Sequence, residues 1–378
     1  MIYFDNGATS YPKPFSVVNA VQRSFCDFCA NPGRGGYNSA MKSAEMIYNA
    51  RSAAADLFNA NTENVIFTSG CTYSLNAAIK GLCRLGSHFV ISDLEHNSVV
   101  RPLEKLKKSG KCDYSVAKVT PDESETVNNF VNKFRKNTVA VICTLSSNVF
   151  GIMPPITKIA HEAHKNGILF ILDAAQGAGY LPVDMKKTGA DIICCAGHKG
   201  LFGPMGTGLL ILSKDINIDT LAEGGTGSNS ESLNQPVLSP DKFESGTPNV
   251  HGIAGLFEGI KFVENIKCEN ILMHENKIIK YIFDELKACQ SIILYTDFYD
   301  GVQKSPVLSF NVKSKKSEET AALLAENGIC VRGGLHCAPL AHRKMGTLGV
   351  GTVRITPSWF TDEKETEFLV NCIKKIAK

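Results

Sequence analysis

At 378 residues the chain exceeds what a single hydrophobic core usually serves, so two domains are expected. Its 44% hydrophobic and 20% charged residues, with a formal net charge of +3, are ordinary for a globular protein and argue against a polyanion-binding surface. The lysine-rich patches 104–111 and 313–316 are short and read as solvated faces, so no nucleic-acid partner is expected. No apolar run approaches the ~20 residues of a membrane span, and Met1-Ile-Tyr-Phe-Asp5 lacks a basic region followed by an apolar stretch. No membrane partner is expected either. The 13 cysteines are odd in number and scattered without a framework, which suits a reducing, cytoplasmic compartment.

In chain order, Cys26-Asp-Phe-Cys29 has CxxC spacing but no second pair at zinc-site distance, so no metal site is expected there. Between about 60 and 212, short apolar runs alternate with helical patterns. The runs are Asn64–Thr68, His88–Ser92, Thr138–Cys143, Ile168–Leu172, Asp191–Cys195 and Gly208–Leu212, with helices over Leu75–Leu82 and from about Val99. Near-continuous apolar strands separated by helices predict a largely parallel sheet covered on both faces, an α/β architecture. His161-Glu-Ala-His164 lacks the HExxH pattern and reads as an exposed helix face. Residues 222–249, rich in Gly, Ser, Asn and Pro, predict a long irregular loop. One long helical stretch is expected over 250–288, then strands near Ser291–Leu294 and Val307–Val312 and a helix ending at Gly328, which together make a smaller α+β domain. The large domain is placed at 15–249, and 1–14 with 250–378 form the smaller one.

In open α/β sheets ligands sit beyond the carboxyl ends of the strands. Those ends carry Ser69-Gly-Cys71-Thr72, Glu95-His96-Asn97, Ser146-Ser-Asn148, Asp173-Ala-Ala-Gln176 and His198-Lys199. Lys199 precedes a glycine-rich segment that has no GxxxxGK[ST], and Gly224-Gly-Thr-Gly227 does not complete GxGxxG, so neither is a nucleotide motif. An aromatic aldehyde cofactor with a phosphate needs a lysine to bond the aldehyde, a carboxylate for the ring nitrogen, a donor for the phenolic oxygen, a flat partner and an anion cradle. Lys199, Asp173, Gln176, His96 and the Thr72 turn supply those five in that order. Singly each is a weak signal; their joint placement is the specific one.

These residues, with Tyr3-Phe-Asp-Asn-Gly-Ala8, Ser147-Asn148-Val-Phe-Gly151, Phe243-Glu-Ser-Gly-Thr247-Pro-Asn249 and Arg332-Gly-Gly-Leu-His-Cys337-Ala, resemble over nearly the whole chain the class V aminotransferase family of fold-type I pyridoxal-phosphate enzymes. Within that family they resemble the cysteine desulfurases and selenocysteine lyases. The resemblance implies a mostly parallel seven-stranded sheet flanked by helices, pyridoxal 5'-phosphate as cofactor, and Lys199 as the Schiff-base lysine and proton shuttle. It assigns Asp173 to the pyridinium nitrogen, Gln176 to the phenolic oxygen and His96 to ring stacking. Thr72, His198 and the Cys71 position fall in the phosphate cradle, and Thr247 is lent by the neighbouring subunit of a homodimer with shared active sites. Asn148, Arg354 and Arg332 fall at the substrate carboxylate.

Cys337 decides the branch. The resemblance implies that its thiolate takes sulfur from L-cysteine as a persulfide, releases L-alanine and passes the sulfur to an acceptor protein, with iron–sulfur cluster assembly among the uses of such sulfur. Glycines 333 and 334 suggest an exposed, partly mobile loop, with Arg332 and His336 near enough to favour the thiolate. Selenocysteine cleavage, another class V reaction with Cys337 incidental, and a non-catalytic sulfur carrier remain as alternatives. The residues do not name the acceptor, or tell sulfur from selenium preference.

Ala196 and Cys71 stand where relatives usually carry hydroxyl side chains, and Leu335 where close relatives carry histidine. A cradle short of one hydroxyl binds phosphate less tightly, so Ala196→Ser is expected to lower the dissociation constant for pyridoxal phosphate. A tight constant that the substitution leaves unchanged contradicts this.

Overall fold

The computed structural model describes residues 1–32, 35–213, 216–228, 230–295 and 304–378. Strand β1 (Ile2–Tyr3) is followed by helices α1 (Phe15–Asp27) and α2 (Asn38–Phe58). Alternation then sets in: β2 (Val65–Thr68), α3 (Cys71–Leu82), β3 (Ser87–Ser92), α4 (Asn97–Lys108), β4 (Cys112–Ala117), α5 (Glu123–Val131), β5 (Thr138–Thr144), α6 (Ile156–Lys165), β6 (Leu169–Asp173), α7 (Met185–Thr188), β7 (Ile192–Ala196) and β8 (Gly208–Leu212). The seven strands β2–β8 form one sheet in the order β2-β8-β7-β6-β5-β3-β4, parallel except at β8.

The apolar runs become central strands because both faces are covered. Val141, Cys143, Phe170, Leu172, Ile193 and Cys195 enter one core, and their alternates Ala140, Ile142, Ile171, Ile192 and Cys194 enter the other. The outer strand β4 is only half-buried along its middle, so Cys-Asp-Tyr-Ser-Val-Ala shows no apolar run to read. β8 runs antiparallel because residues 197–207 supply no crossover helix, which a parallel connection requires. That connection is the glycine-rich segment carrying Lys199, and it lies directly on the chain at 178–179. A Cβ at Gly200 would stand 2.3 Å from the Ala178 carbonyl oxygen, and one at Gly179 2.1 Å from that of Gly200.

After the long loop come α8 (Val250–Ile266), α9 (Cys268–Lys287), β9 (Ile292–Leu294), β10 (Leu308–Val312), α10 (Ser317–Glu326), β11 (Ile329–Cys330), β12 (Arg332–Gly334), α11 (Pro339–Lys344), β13 (Thr352–Ile355) and α12 (Glu363–Ile376). The single helix expected over 250–288 is two, divided at Lys267, whose φ is 75°. The break lets the two helices reach different further neighbours, while Leu256, Ile260 and Val263 of α8 and Ile271 and Leu272 of α9 still share one core. α8 packs Val250, Ile253 and Ala254 against Met46, Ile47 and Ala50 of α2, whereas α9 packs Ile278, Ile279 and Ile282 with Leu308 and Phe310 of the second sheet. That sheet is antiparallel, in the order β12-β13-β10-β9, and β1 pairs in parallel with β11 beside it. Among the described residues no helix is long and apolar enough to cross a membrane.

Phe170 on β6 is fully buried, so Phe170→Ala is expected to cost about 3–5 kcal/mol of unfolding free energy, because the sheet and its covering helices cannot collapse into the space. The exposed Leu85→Ala is expected to change it by less than about 0.5 kcal/mol. Denaturant titration of both variants checks the contrast.

Candidate active site

One crevice of about 300 Å³ lies beyond the carboxyl ends of β2, β3, β5, β6 and β7. Cys71, Thr72, His96, Asn148, Asp173, Gln176, Ala196, His198 and Lys199 all line it. Parallel strands with helical crossovers point these ends the same way, which brings together residues up to 128 positions apart (71 to 199).

Lys199 opens the β7–β8 connection, and its ammonium has no hydrogen-bond or ion-pair partner among the described residues. Burial, then repulsion by Arg354, pull its pKa below the ordinary lysine value, against the opposing pull of Cys71, Asp173 and Asp5. The neutral amine, the nucleophilic and basic form, is thereby favoured. Asp173, 2% exposed at the end of β6, accepts from the Ala175 amide at 2.9 Å, and the Cys71 thiol donates to the same oxygen at 3.4 Å. The Gln176 amide donates to the Gly7 carbonyl at 2.7 Å.

His96 is the N-cap of α4, its Nδ1 accepting from the Ser98 amide at 3.0 Å. Burial lowers its pKa to about 4, so the ring is neutral. The Ser98 hydroxyl lies 2.9 Å from that nitrogen and 2.7 Å from Thr72 Oγ1, joining the stacking position to the α3 turn. Ser98 has no part in the sequence-based site; its position just inside a helix start is the signal that marks it.

The residues fit a phosphorylated aldehyde cofactor. No side chain caps α3, so its first amides and its dipole face the crevice at Gly70–Thr72. His198 Nδ1 is buried without a partner among the described residues, and its pKa is lowered to about 4 by burial, then by Lys199 and Lys13. Such a ring accepts or donates a hydrogen bond to a ligand at no cost in charge. Thr247 lies elsewhere: it is exposed and lines a neighbouring cavity of about 630 Å³ that adjoins the crevice through Ser69 and Tyr73.

The two arginines expected at the substrate carboxylate do not line the crevice. Arg332 and Arg354 are direct partners across β12 and β13, and Asp5 lies between them. Asp5 Oδ1 accepts from Arg354 Nη2 at 2.8 Å and Oδ2 from Arg332 Nη2 at 2.8 Å. Arg354 also donates through Nη1 to the Asn148 carbonyl at 3.0 Å, and its Nε is buried without a partner among the described residues. Asp5 is absent from the sequence-based set of site residues, although it sits within the Tyr3–Ala8 landmark; nothing local in the sequence pairs it with positions 332 and 354.

Cys337 is exposed and does not line the crevice, but its loop is fastened to it. The Asn97 amide donates to the Cys337 carbonyl at 2.7 Å, and Asn148 Nδ2 donates to the His336 carbonyl at 2.7 Å. His336 and Cys337 both have left-handed backbones, with φ of 49° and 56°. The loop expected to be partly mobile is thus tied at its backbone, and its bend exposes the thiol. His336 does not supply the positive charge expected of it: burial, then repulsion by Arg354, lower its pKa to about 3 and leave it neutral.

The profile of the family described as Aminotransferase class-V matches residues 2–369. Over its whole length the chain is 33% identical to a probable cysteine desulfurase of Methanothermobacter thermautotrophicus and 32% identical to one of Pyrococcus abyssi, covering 94% of each. It superposes on the solved apo structure of a cysteine desulfurase from Thermococcus onnurineus with a TM-score of 0.92 at 29% identity, covering all of this chain and 94% of that one.

Next to the crevice, Glu95 is fully buried, accepts from the Thr144 amide at 2.9 Å and from Ser92, and leaves Oε2 without a partner among the described residues. Burial, reinforced by Asp173, pushes its pKa from an ordinary 4.5 up to about 8. The folded state therefore keeps a proton that the unfolded chain releases above its ordinary value, and stability falls between those limits by at most about 1.4 kcal/mol per pH unit. Glu95→Gln is expected to gain stability relative to the parent as pH rises from 5 to 8 (values chosen within about that window). Equal differences in unfolding free energy at the two pH values refute a neutral Glu95.

Proposed function

This chain belongs to the class-V aminotransferase family, and we propose that it is a pyridoxal-phosphate-dependent cysteine desulfurase that converts L-cysteine to L-alanine and holds the sulfur as a persulfide on Cys337. The observation that carries this reading is the pairing of one crevice, lined by Lys199, Asp173, Gln176 and His96, with an exposed cysteine whose backbone is fastened to the start of α4 and to Asn148. The first half is a cofactor site; the second is a place to put sulfur.

When bound, pyridoxal phosphate supplies an electron sink for the charge left by removal of a substrate α-hydrogen. The amides that open α3, with Thr72 and His198, hold the phosphate. Asp173 would keep a proton on the ring nitrogen, and the neutral His96 ring would pack against the cofactor ring. Lys199 takes the α-hydrogen, a task that a lowered pKa suits. Arg354, held by Asp5, and Asn148 orient the substrate carboxylate, for which a planar guanidinium is well matched. The Cys337 thiolate attacks the substrate sulfur: an S–S bond forms, the Cβ–S bond breaks, and its electron pair stays with the substrate carbon, which gains a proton and leaves within alanine. Exposure of Cys337 then suits delivery of sulfur to an acceptor protein. Thr247, outside its own crevice, serves the partner of a homodimer.

The test is the visible spectrum of purified protein before and after L-cysteine, with alanine and sulfide assayed together under a thiol reductant. A yellow protein that forms both in equal amounts, and loses at least about 100-fold in turnover on Cys337→Ala, supports the reading. A yellow protein indifferent to Cys337→Ala moves the function to another class V reaction, and a marked preference for L-selenocysteine over L-cysteine, with both rates measured in parallel, points to a lyase.

A further inference from the structure

A second, smaller cavity of about 30 Å³ shares Lys199 and Gln176 with the crevice, so these two side chains form a wall between them. Its other polar lining includes Tyr180, Glu275 and Ser358. The volume suits about one or two water molecules with several polar partners. Glu275 is 5% exposed and Tyr180 7%. Glu275 occupies the buried face of α9 beside Ile271, Leu272, Ile278 and Ile279, where a purely structural helix would place another apolar side chain. Burial holds its carboxyl well above the usual carboxylate range, against a smaller opposing pull from the Trp359 backbone, so it is a neutral acid. The Tyr180 hydroxyl lies 3.5 Å from Gln176 Oε1 and 3.1 Å from Ser305 Oγ, and Tyr180 and Glu275 line the same cavity. The charged and titratable groups facing this system are Arg354 toward Tyr180, and Arg354, Cys71, Asp173 and Asp5 toward Lys199, with Lys13 and His198 beside the lysine's connection.

We propose that Glu275 is the proton reservoir of Lys199, exchanging protons with it through Tyr180 and water held in this cavity. The proposal rests on Lys199 acting as the base of the reaction above. Lys199 gains and loses a proton in each turnover, yet its crevice side is the side that cofactor and substrate fill. The cavity side stays free. The exchange balances: the O–H of the Glu275 carboxyl breaks as an N–H forms on Lys199, giving carboxylate and ammonium, and reversal restores both. No other reactant is consumed. Glu275 acts through intervening groups, so it is not itself a catalytic residue.

The experiment compares pyridoxal-phosphate-loaded wild type, Glu275→Gln and Tyr180→Phe. Glutamine keeps an acceptor toward the Trp359 backbone but has no acidic proton, and phenylalanine keeps the ring. Two quantities are read: the pH midpoint of the visible absorption without substrate, and the rate at which the α-hydrogen of L-alanine exchanges for solvent deuterium, followed by NMR. Glu275 at rest is uncharged, as glutamine is, so the midpoint is expected to stay at its wild-type value in Glu275→Gln, and a midpoint that falls marks a resting carboxylate and overturns the proposal. Exchange is expected to slow by at least about tenfold in both variants, with thermal melting unchanged. Exchange at the wild-type rate in Glu275→Gln overturns the proposal. Should that variant not fold or load, wild-type exchange in Tyr180→Phe overturns it equally. A wild type that exchanges the α-hydrogen but yields no alanine from L-cysteine refutes the desulfurase reading and leaves this test intact.

Discussion

A single carboxylate, Asp5, holds the two halves of the site in register. Arg332 and Arg354 face each other across adjacent antiparallel strands, an arrangement in which like charges repel. Asp5 sits between them and accepts from both. Because the Arg354 side chain is 3% exposed and Asp5's is 11%, this is a buried ion pair, whose rupture from one side typically costs about 3–5 kcal/mol. From Arg354 the network continues to the Asn148 carbonyl, and the Asn148 side chain holds the His336 carbonyl next to Cys337. The start of the chain, the end of β5 and the cysteine loop are therefore parts of one polar unit. Asp5 also bears on Lys199, where it opposes the repulsion from Arg354.

The balance at Lys199 shows why the surrounding fold is built as it is. A lysine on a flexible surface loop keeps its proton at neutral pH. Here the β7–β8 connection presses against residues 178–179, with glycine at both contacts, and carries the side chain into the crevice. Burial and Arg354 outweigh Cys71, Asp173 and Asp5, so the pKa of Lys199 lies below the ordinary lysine value. His96 and His198, neutral for the same reason of burial, add polar contacts without adding charge.

The strands and the crevice they end in were largely legible in the sequence. Continuous apolar runs marked β2, β3, β5, β6, β7 and β8, because a strand covered on both faces needs apolar side chains on both. β4 escaped notice, since its half-exposed middle residues mix polar and apolar types. The division of α8 from α9 was equally hidden: the helical pattern runs through Lys267, and the break shows only in the fold, where α8 reaches α2 and α9 reaches the second sheet.

Residue types at strand ends, together with their spacing, determined the α/β class, the crevice and the set Lys199, Asp173, Gln176, His96 and Thr72, because parallel strands with helical crossovers must end on one side. Local pattern carries that information. Contacts between distant segments do not leave such a pattern, and tertiary structure alone decided them: Asp5 between Arg332 and Arg354, Glu275 in a cavity shared with Lys199, and a neutral His336 beside Cys337. Charge state follows burial and neighbours, and both are properties of the folded chain.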